Sequence, residues 1–338
     1  MAPRVTITDV ALAAGVSVST VSKVINGRYG IAAGTSTRVR EVVQDLGYEP
    51  SLVARSLRSN RTHVIGILVA EFEPFSAEIL KGTTTALADT DYELLAYTGG
   101  RQGGGAGWER RYLSRLSGTL IDGALLVTPS VVDADAGVPL VSIDPHAGPA
   151  GLPTVDSDSF TGALLATRHL IELGHRRIGF IAGRPDLESS RLREAGFCQA
   201  LADAGLEADP DLIRLGDYRR DAARAPATAL LTHPDRPTAI FAANDLSAMG
   251  TMDVAREMGL DVPGDLSVVG FDDIPESIRT TPPLTTVHQP IQEMGAAGIT
   301  MLIALMDGIA VEKTHVRLPT SLVLRGSTAA PRSPAPSR

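Results

Sequence analysis

Apolar residues in the first 50 positions recur with the spacing of short amphipathic helices. The pattern predicts three helices, over residues 7–14, 18–26 and about 35–46. Between the first two lies a three-residue turn that contains a glycine. Helix, glycine-containing turn and helix together are typical of a helix-turn-helix. The sequence therefore predicts a small helical head of this kind.

The ends of these helices carry residues that suit their positions. Thr6 and Asp9 fit a capping box, in which each side chain binds the backbone of the other residue. Gly15 can end the first helix in a left-handed conformation, and Ser17 can cap the start of the second. Local signals therefore predict where the first helix begins and ends and where the second begins.

From residue 63 onward the pattern changes to short apolar runs that alternate with stretches of helical spacing. Runs such as HVIGILVA, RRIGFIAG and LSVVGFDD are typical of parallel strands buried on both faces. Two such series follow one another. They predict an α/β body of two doubly wound lobes, with space for a ligand at the carboxyl ends of the strands.

Charge is distributed unevenly along the 338 residues, whose formal net charge is −8. Residues 1–62 contain eight Lys and Arg against four acids, a net +4, which leaves −12 for the remainder. A basic head on an acidic body indicates that only the head meets a polyanion. A single cysteine, Cys198, excludes a disulfide framework. With no signal peptide and no apolar run of 18 residues, we expect a cytoplasmic protein without a membrane segment.

Sequence motifs of common enzyme classes are absent from the chain. It has no GxSxG, no HExxH, no phosphate-binding GxxxxGK[ST] and no GxGxxG after a predicted strand. The seven histidines are scattered rather than clustered. We therefore expect no enzymatic activity, no cofactor and no metal site.

Six segments resemble, in the same order, the lactose-repressor/galactose-repressor (LacI/GalR) family: TITDVALAAGVSVSTVSKVING, LGYEPSLVARSL, LIELGHRRIGFIAG, FAANDLSAMG, DLSVVGFDDI and TTPPLTTVHQPIQEMG. The resemblance implies a helix-turn-helix head on a two-lobed, periplasmic-binding-protein-like body. It implies a homodimeric transcriptional regulator that binds palindromic operator DNA. The expected divisions are a head (1–50), a hinge helix or linker (51–62), lobe 1 (about 63–161 and 290–318), lobe 2 (about 162–289 and 319–326) and a disordered tail (327–338).

The resemblance also assigns DNA contacts to residues of the head and linker. The positions implied to contact bases are Val18, Ser19, Lys23 and Leu57. Those implied to contact the phosphate backbone are Thr6, Ser17, Thr20, Ser22, Asn26 and Arg55. Read without the resemblance, the serines would only cap and solvate a surface helix, and residues 51–62 would be a plain tether. The third helix departs from the family in lacking a usual capping residue at Ala32.

Candidate effector-binding residues follow predicted strands or match positions of the family. They are Phe75, Ser76, Trp108, Asp144, Arg193, Asn244 and Asp272. Sugar binding needs such planar polar groups together with an apolar platform. Three of these residues have an alternative structural role. Arg193 could be an exposed arginine of its helix, Asn244 could cap the following helix, and Trp108 could only anchor its own helix.

We expect a repressor of sugar-utilisation genes that a small carbohydrate releases from its operator. The same architecture could instead use a purine as corepressor, in which case the ligand would strengthen DNA binding. A periplasmic-type sugar receptor is a third reading, but it would need a signal peptide and no DNA-binding head.

Overall fold

The computed structural model describes residues 5–48, 61–99, 107–118, 120–130, 136–149 and 151–332. Contacts divide the chain into two compact units, Met1–Thr62 and His63–Arg338. No single helix in the described ranges is long and apolar enough to cross a membrane. The helices Ile7–Ala14 and Val18–Ile25, bent by 103° where they meet, pass that test only as a pair.

The first unit is a helical head made of α1 (Ile7–Ala14), α2 (Val18–Ile25) and α3 (Ala33–Leu46). All three helices contribute buried residues to its small core: Val10, Ala11, Ala14, Val21, Val24 and Val39. The core is aliphatic and contains no large side chain, so the three helices can pack closely in a unit of this size.

The predicted helix ends of the head are largely confirmed. Thr6 and Asp9 form the capping box, and Gly15 ends α1 with a φ of 64°. At the start of α2, Ser17 accepts a hydrogen bond from the backbone of Thr20. Ala32 makes no side-chain capping hydrogen bond, as expected, although α3 begins two residues earlier than predicted.

The first lobe of the body contains a six-stranded parallel sheet in the order β11-β5-β4-β3-β1-β2. Its strands are β1 (Val64–Val69), β2 (Glu93–Thr98), β3 (Gly123–Val127), β4 (Leu140–Ile143), β5 (Thr154–Ser157) and β11 (His315–Leu318). Its helices are α4 (Pro74–Leu87), α5 (Trp108–Leu116) and α10 (Ile291–Met306). The four central strands are buried throughout, as expected for a parallel sheet covered on both faces.

The second lobe repeats this plan with the strand order β12-β10-β9-β8-β6-β7. Its strands are β6 (Ile178–Ala182), β7 (Ile213–Leu215), β8 (Ala239–Ala242), β9 (Ser267–Asp272), β10 (Thr285–His288) and β12 (Ser321–Val323), the last antiparallel to β10. Its helices are α6 (Ser159–Glu172), α7 (Glu188–Asp203), α8 (Arg224–Leu231) and α9 (Asp245–Glu257). Two doubly wound lobes and a helix-turn-helix head confirm the predicted fold class.

The chain passes from one lobe to the other three times within residues 151–332. The passages follow β5, β10 and β11, so that each lobe is assembled from separate stretches of sequence. Because the sheets are mostly parallel, the loops at the carboxyl ends of their strands can border a shared cleft.

The expected disorder of the carboxyl-terminal tail is wrong for residues 327–332. Ser327 is fully buried, and its hydroxyl donates to the carbonyl of Val268 over 2.6 Å. Arg332 forms ion pairs with Asp261 and Asp265 over 2.9 and 2.7 Å. Hydrogen bonds to lobe 2, rather than apolar side chains, hold this segment in place. Residues 333–338 lie outside the described residues.

Candidate functional site

The three head residues predicted to contact bases within the described chain share one exposed side of α2. Val18, Ser19 and Lys23 are exposed, whereas Val21 and Val24 of the same helix are buried in the core of the head. A helix with such a free side fits the major groove of DNA. The arrangement suits the predicted readout, and the assignment of individual base contacts stays a prediction.

Hydroxyl groups cluster at the amino-terminal end of α2. The Oγ of Ser17 lies 2.8 Å from the Oγ of Ser19 and 2.9 Å from the Oγ1 of Thr20. Free backbone N–H groups and the helix dipole favour an anion at such an end. Asn26 uses its amide within the helix, where it donates to the carbonyl of Ser22 over 2.5 Å.

Two further predicted DNA contacts, Arg55 and Leu57, lie outside the described residues. Thr6 is engaged in the capping box of α1, because its hydroxyl donates to the carboxylate of Asp9 over 2.7 Å. Because a phosphate oxygen can only accept, a contact between the Thr6 hydroxyl and a phosphate would have to replace this bond.

A cavity of about 790 Å³ opens between the two lobes of the body. Its volume lies within the range of about 300–1,000 Å³ that is typical of small-molecule sites. The first lobe contributes mainly residues 70–76, which follow β1. Six of the seven predicted effector residues line the cavity: Phe75, Ser76, Asp144, Arg193, Asn244 and Asp272.

Arg193 is a buried cation in this cleft, carried by α7 and only 4% exposed. Its Nη1 donates to the carbonyl of Ala243 over 2.6 Å and lies 3.5 Å from Oδ1 of Asp272. The guanidinium carbon is 3.8 Å from the centre of the Phe271 ring, within the range of a cation–π interaction. These contacts hold the guanidinium in a fixed orientation at the wall of the cavity.

Asp272 ends β9 with a φ of 115°, an unusual backbone conformation for a residue with a side chain. Its Oδ1 accepts a hydrogen bond of 2.6 Å from Nε2 of Gln289. Burial raises the pKa of Asp272 to about 7, although the nearby charge of Arg193 lowers it. The carboxyl group is therefore poised to change its charge near neutral pH.

Asp144 brings a carboxylate from the first lobe to the same cavity. It follows β4 with a φ of 47°, and its Oδ2 accepts a hydrogen bond of 3.0 Å from the hydroxyl of Ser189 on α7. Burial raises the pKa of Asp144, and the charge of Arg193 opposes this shift. Asp144 is thus hydrogen-bonded to the opposite lobe.

The amide of Asn244 is used within the protein. Its Oδ1 accepts from the backbone of Ser247 over 2.9 Å and so caps α9, while its Nδ2 donates to the carbonyl of Tyr218 over 3.0 Å. The alternative role as a helix cap is therefore the one observed. The Oδ1 of Asn244 can still accept a second hydrogen bond at the cavity wall.

The structure does not place Trp108 in the lining of the cavity, which corrects the predicted effector contact. Its side chain is buried and meets the ring of Tyr112 edge-on at 5.8 Å. The indole also covers Gly99, where a Cβ would come within 2.7 Å of it. Trp108 therefore anchors α5 against β2, which is the alternative role considered for it.

Among the lining residues that sequence reasoning missed, Tyr218 and Glu73 have clear roles. The ring of Tyr218 lies 5.5 Å from the guanidinium carbon of Arg193 and covers Gly183. Glu73 caps α4 by accepting from the backbone of Phe75 and Ser76, and burial raises its pKa. Each residue follows a strand by a few positions, which is the signal that could have found them.

The described residues contain no group of three or more His, Cys, Asp or Glu side chains that could hold a metal ion. The cleft instead combines a positioned arginine, carboxylates with raised pKa values and aromatic rings. Such a set can bind a polar small molecule through hydrogen bonds and ring contacts.

Comparison with known sequences identifies both units of the chain. Residues 6–51 match the family described as bacterial regulatory proteins, lacI family, and residues 167–328 match a periplasmic binding protein-like domain. The HTH-type transcriptional repressor PurR of Aliivibrio salmonicida is 36% identical over 330 residues, which cover 95% of this chain and 98% of the relative. The chain belongs to the lacI family.

Other members of the lacI family match over nearly the full length. The HTH-type transcriptional regulator CelR of Thermobifida fusca is 36% identical over 344 residues, covering 96% of this chain and 98% of the relative. A solved structure of the Lac repressor dimer bound to operator and the anti-inducer ONPF has a TM-score of 0.84 at 30% identity, covering 97% and 100% of the two chains. A CelR–cellobiose complex has a TM-score of 0.73 at 34% identity, covering 96% and 100%. These lacI-family relatives are transcription regulators and not enzymes.

Proposed function

We propose that this lacI-family regulator binds operator DNA as a homodimer through the exposed side of α2, and that a small carbohydrate in the cleft controls its affinity for the operator. It acts in the cytoplasm by binding alone, without catalysis. The Lac repressor dimer bound to operator and the CelR–cellobiose complex support the DNA, dimer and carbohydrate parts of this proposal.

The observation that carries the carbohydrate assignment is the polar cluster of Arg193, Asp272 and Asp144 at one cavity. It presents a planar donor and two acceptor groups drawn from both lobes, with Phe75 as an apolar neighbour. Vicinal hydroxyls pair well with planar charged groups, since charge-assisted hydrogen bonds are stronger than neutral ones. A ligand held by both lobes also favours one arrangement of the lobes over another, which is what a change in operator affinity requires.

A purine base is the second candidate effector. Several relatives are named PurR, and three aromatic side chains, Phe72, Phe75 and Tyr218, line the cavity. The two candidate ligands would change operator affinity in opposite directions. A sugar inducer would lower it and release the DNA, whereas a purine corepressor would raise it.

The test begins with an operator selected from random duplexes by the purified full-length protein. Fluorescence anisotropy then measures operator affinity with cellobiose, glucose or hypoxanthine present. We expect Lys23→Ala to weaken operator binding by about 1–3 kcal/mol and to relax the selected sequence at one position. We expect Arg193→Ala to keep operator binding and to lose the response to ligand, since truncation leaves Asp272 without its cation.

Each variant serves as the control for the other, because one lies in the head and one in the cleft. If Lys23→Ala selected the same operator sequence and bound it with the same affinity, the proposal that α2 contacts the bases would be wrong. An unchanged ligand response in Arg193→Ala would remove the cleft as the effector site.

A further inference from the structure

The outer end of the cleft carries residues that the proposed function does not yet use. Phe72 lines the cavity, yet 57% of its surface is exposed. At the inner end, Arg193, Asn244 and Asp272 are all buried. The cavity therefore runs from a buried polar end to an open end that presents an aromatic face.

An ion pair between the lobes stands at the same open end. Nη1 of Arg219 lies 3.3 Å from Oε2 of Glu71, and Nε of Arg219 lies 3.1 Å from Oδ1 of Asp221. All three residues line the cavity, and their side chains are partly or largely exposed. The pair offers donors and acceptors to a ligand that reaches beyond the buried end.

The charges of the lining residues argue against an anionic ligand. Every arginine in the described lining is already paired with a carboxylate of the protein: Arg184 with Asp186, Arg193 with Asp272, Arg219 with Glu71 and Asp221, and Arg220 with Asp253. At the buried end, a phosphate group would have to displace Asp272 from Arg193 or be desolvated beside this carboxyl group, and either is costly.

We infer that Phe72 and the Arg219–Glu71 pair form a second sugar subsite, so that the effector is a neutral disaccharide or longer saccharide. This inference rests on the proposed function. The inner ring binds at Arg193 and Asp272. The apolar face of the outer ring packs on Phe72, because sugar and aromatic faces of similar size can exclude water from each other. The hydroxyl groups of the outer ring form hydrogen bonds with Arg219 and Glu71. The cavity volume of about 790 Å³ leaves room for both rings.

The test uses the full-length protein and stated probes. Thermal unfolding is measured with cellobiose, maltose, glucose, glucose 6-phosphate and hypoxanthine, because a ligand that binds the native state raises the unfolding temperature. We expect a neutral disaccharide to give the largest shift and the sugar phosphate to give none. Calorimetry should then show the disaccharide binding at least about tenfold more tightly than its monosaccharide.

A matched pair of variants isolates the second subsite. We expect Phe72→Ala to weaken disaccharide binding about tenfold and to change monosaccharide binding less than about twofold, since only the outer ring contacts residue 72. Leu215→Ala is the control, because Leu215 is equally exposed at 57% but does not line the cavity. It should leave both affinities unchanged.

Three results would overturn the inference. They are a larger shift with glucose 6-phosphate or hypoxanthine than with any disaccharide, no shift with either disaccharide, and equal effects of Phe72→Ala on disaccharide and monosaccharide. If a non-saccharide ligand that binds the cleft still altered operator affinity, ligand control of the operator would stand while the sugar subsite would fail.

Discussion

At the scale of single residues, the cleft concentrates carboxyl groups in an unfavourable setting. Burial raises the pKa values of Glu73, Asp144 and Asp272, which line the cavity, and only Asp144 and Asp272 feel an opposing charge from Arg193. Both of these residues also have positive φ angles, of 47° and 115°. Carboxyl groups whose ionised form is disfavoured by burial, together with a strained backbone, are typical of binding sites. Such sites keep their function at a cost in stability.

The pH dependence of folding should report on Asp272. Its pKa in the folded protein is about 7, above its ordinary value of 3.8, so between these values the native state holds a proton that the unfolded state has lost. The resulting stabilisation is fully present below about pH 3.8 and is lost as the pH rises to about 7. We expect Asp272→Asn to remove this part of the decline in the free energy of unfolding, measured by urea titration between about pH 4 and pH 7.

The measured quantity is the difference between parent and variant, because carboxylates paired with arginine, such as Asp186 and Asp221, have lowered pKa values and act in the opposite direction. Asp217→Asn is the control, since Asp217 lines the same cavity but is exposed. If parent and Asp272→Asn lost stability with the same slope, Asp272 would not titrate in this range.

At the scale of elements, sequence signals that act over three or four residues predicted the structure well. The capping box at Thr6 and the missing cap at Ala32 are examples. The same kind of signal sets the start of α6 at Ser159, because Asp158 caps this helix by accepting from the backbone of Thr161.

Contacts between distant segments could not be predicted in the same way. Trp108 is buried over Gly99, and the order of residues 327–332 depends on hydrogen bonds to β9 and to His175. Their composition is polar and rich in small residues, which is also typical of disordered tails. Composition does not encode a hydrogen-bond partner 60 or more positions away.

The start of α3, which has no side-chain capping hydrogen bond, leads to a prediction for the stability of the head. Gly34 lies in the first turn of α3, where a Cβ would meet nothing within 4 Å. We therefore expect Gly34→Ala to stabilise the head by about 0.4–1 kcal/mol, because alanine reduces the conformational freedom of the unfolded chain. Hydrogen exchange of the amides of the head, followed by mass spectrometry on the full-length protein, measures this change.

Gly47, at the other end of the same helix, supplies the control. Its φ of 59° is strained for alanine, so Gly47→Ala should accelerate exchange in the head. Slower exchange in Gly47→Ala, or faster exchange in Gly34→Ala, would contradict this account of the helix ends.

At the scale of the whole molecule, the chain divides into two compact units, Met1–Thr62 and His63–Arg338, and the predicted linker, residues 51–62, precedes the boundary between them. Because the cavity is lined only by residues of the second unit, we propose that effector control acts through this linker. An isolated helix of eight residues is too short to be stable in water. From the resemblance to the lacI-family hinge helix, we propose that residues 51–58 fold only on DNA, with Leu57 inserted into the minor groove, and that this folding provides the coupling.

Leu57→Ala tests this coupling. We expect it to lower specific operator affinity by more than about tenfold and to reduce DNA bending, since an apolar wedge contributes on the scale of a few kcal/mol per base step. Non-specific, salt-sensitive binding by the basic head should persist, and effector affinity should not change. Anisotropy and energy transfer between labelled DNA ends measure the two DNA effects.

Leu52→Ala, which changes the other leucine of residues 51–58, is the matched control and should retain bending. If Leu57→Ala bent and held operator as the parent does, residues 51–62 would act only as a tether.

The three passages between the lobes bear on how the protein is made. The edge strands β11 and β12 belong to different sheets, yet both are translated near the end of the chain. Neither lobe can complete its sheet until residues 315–323 have left the ribosome, whereas every residue of the head has emerged long before. A premature stop codon just before residue 315 would therefore leave the sheets of both lobes incomplete at once, while the head would be made in full.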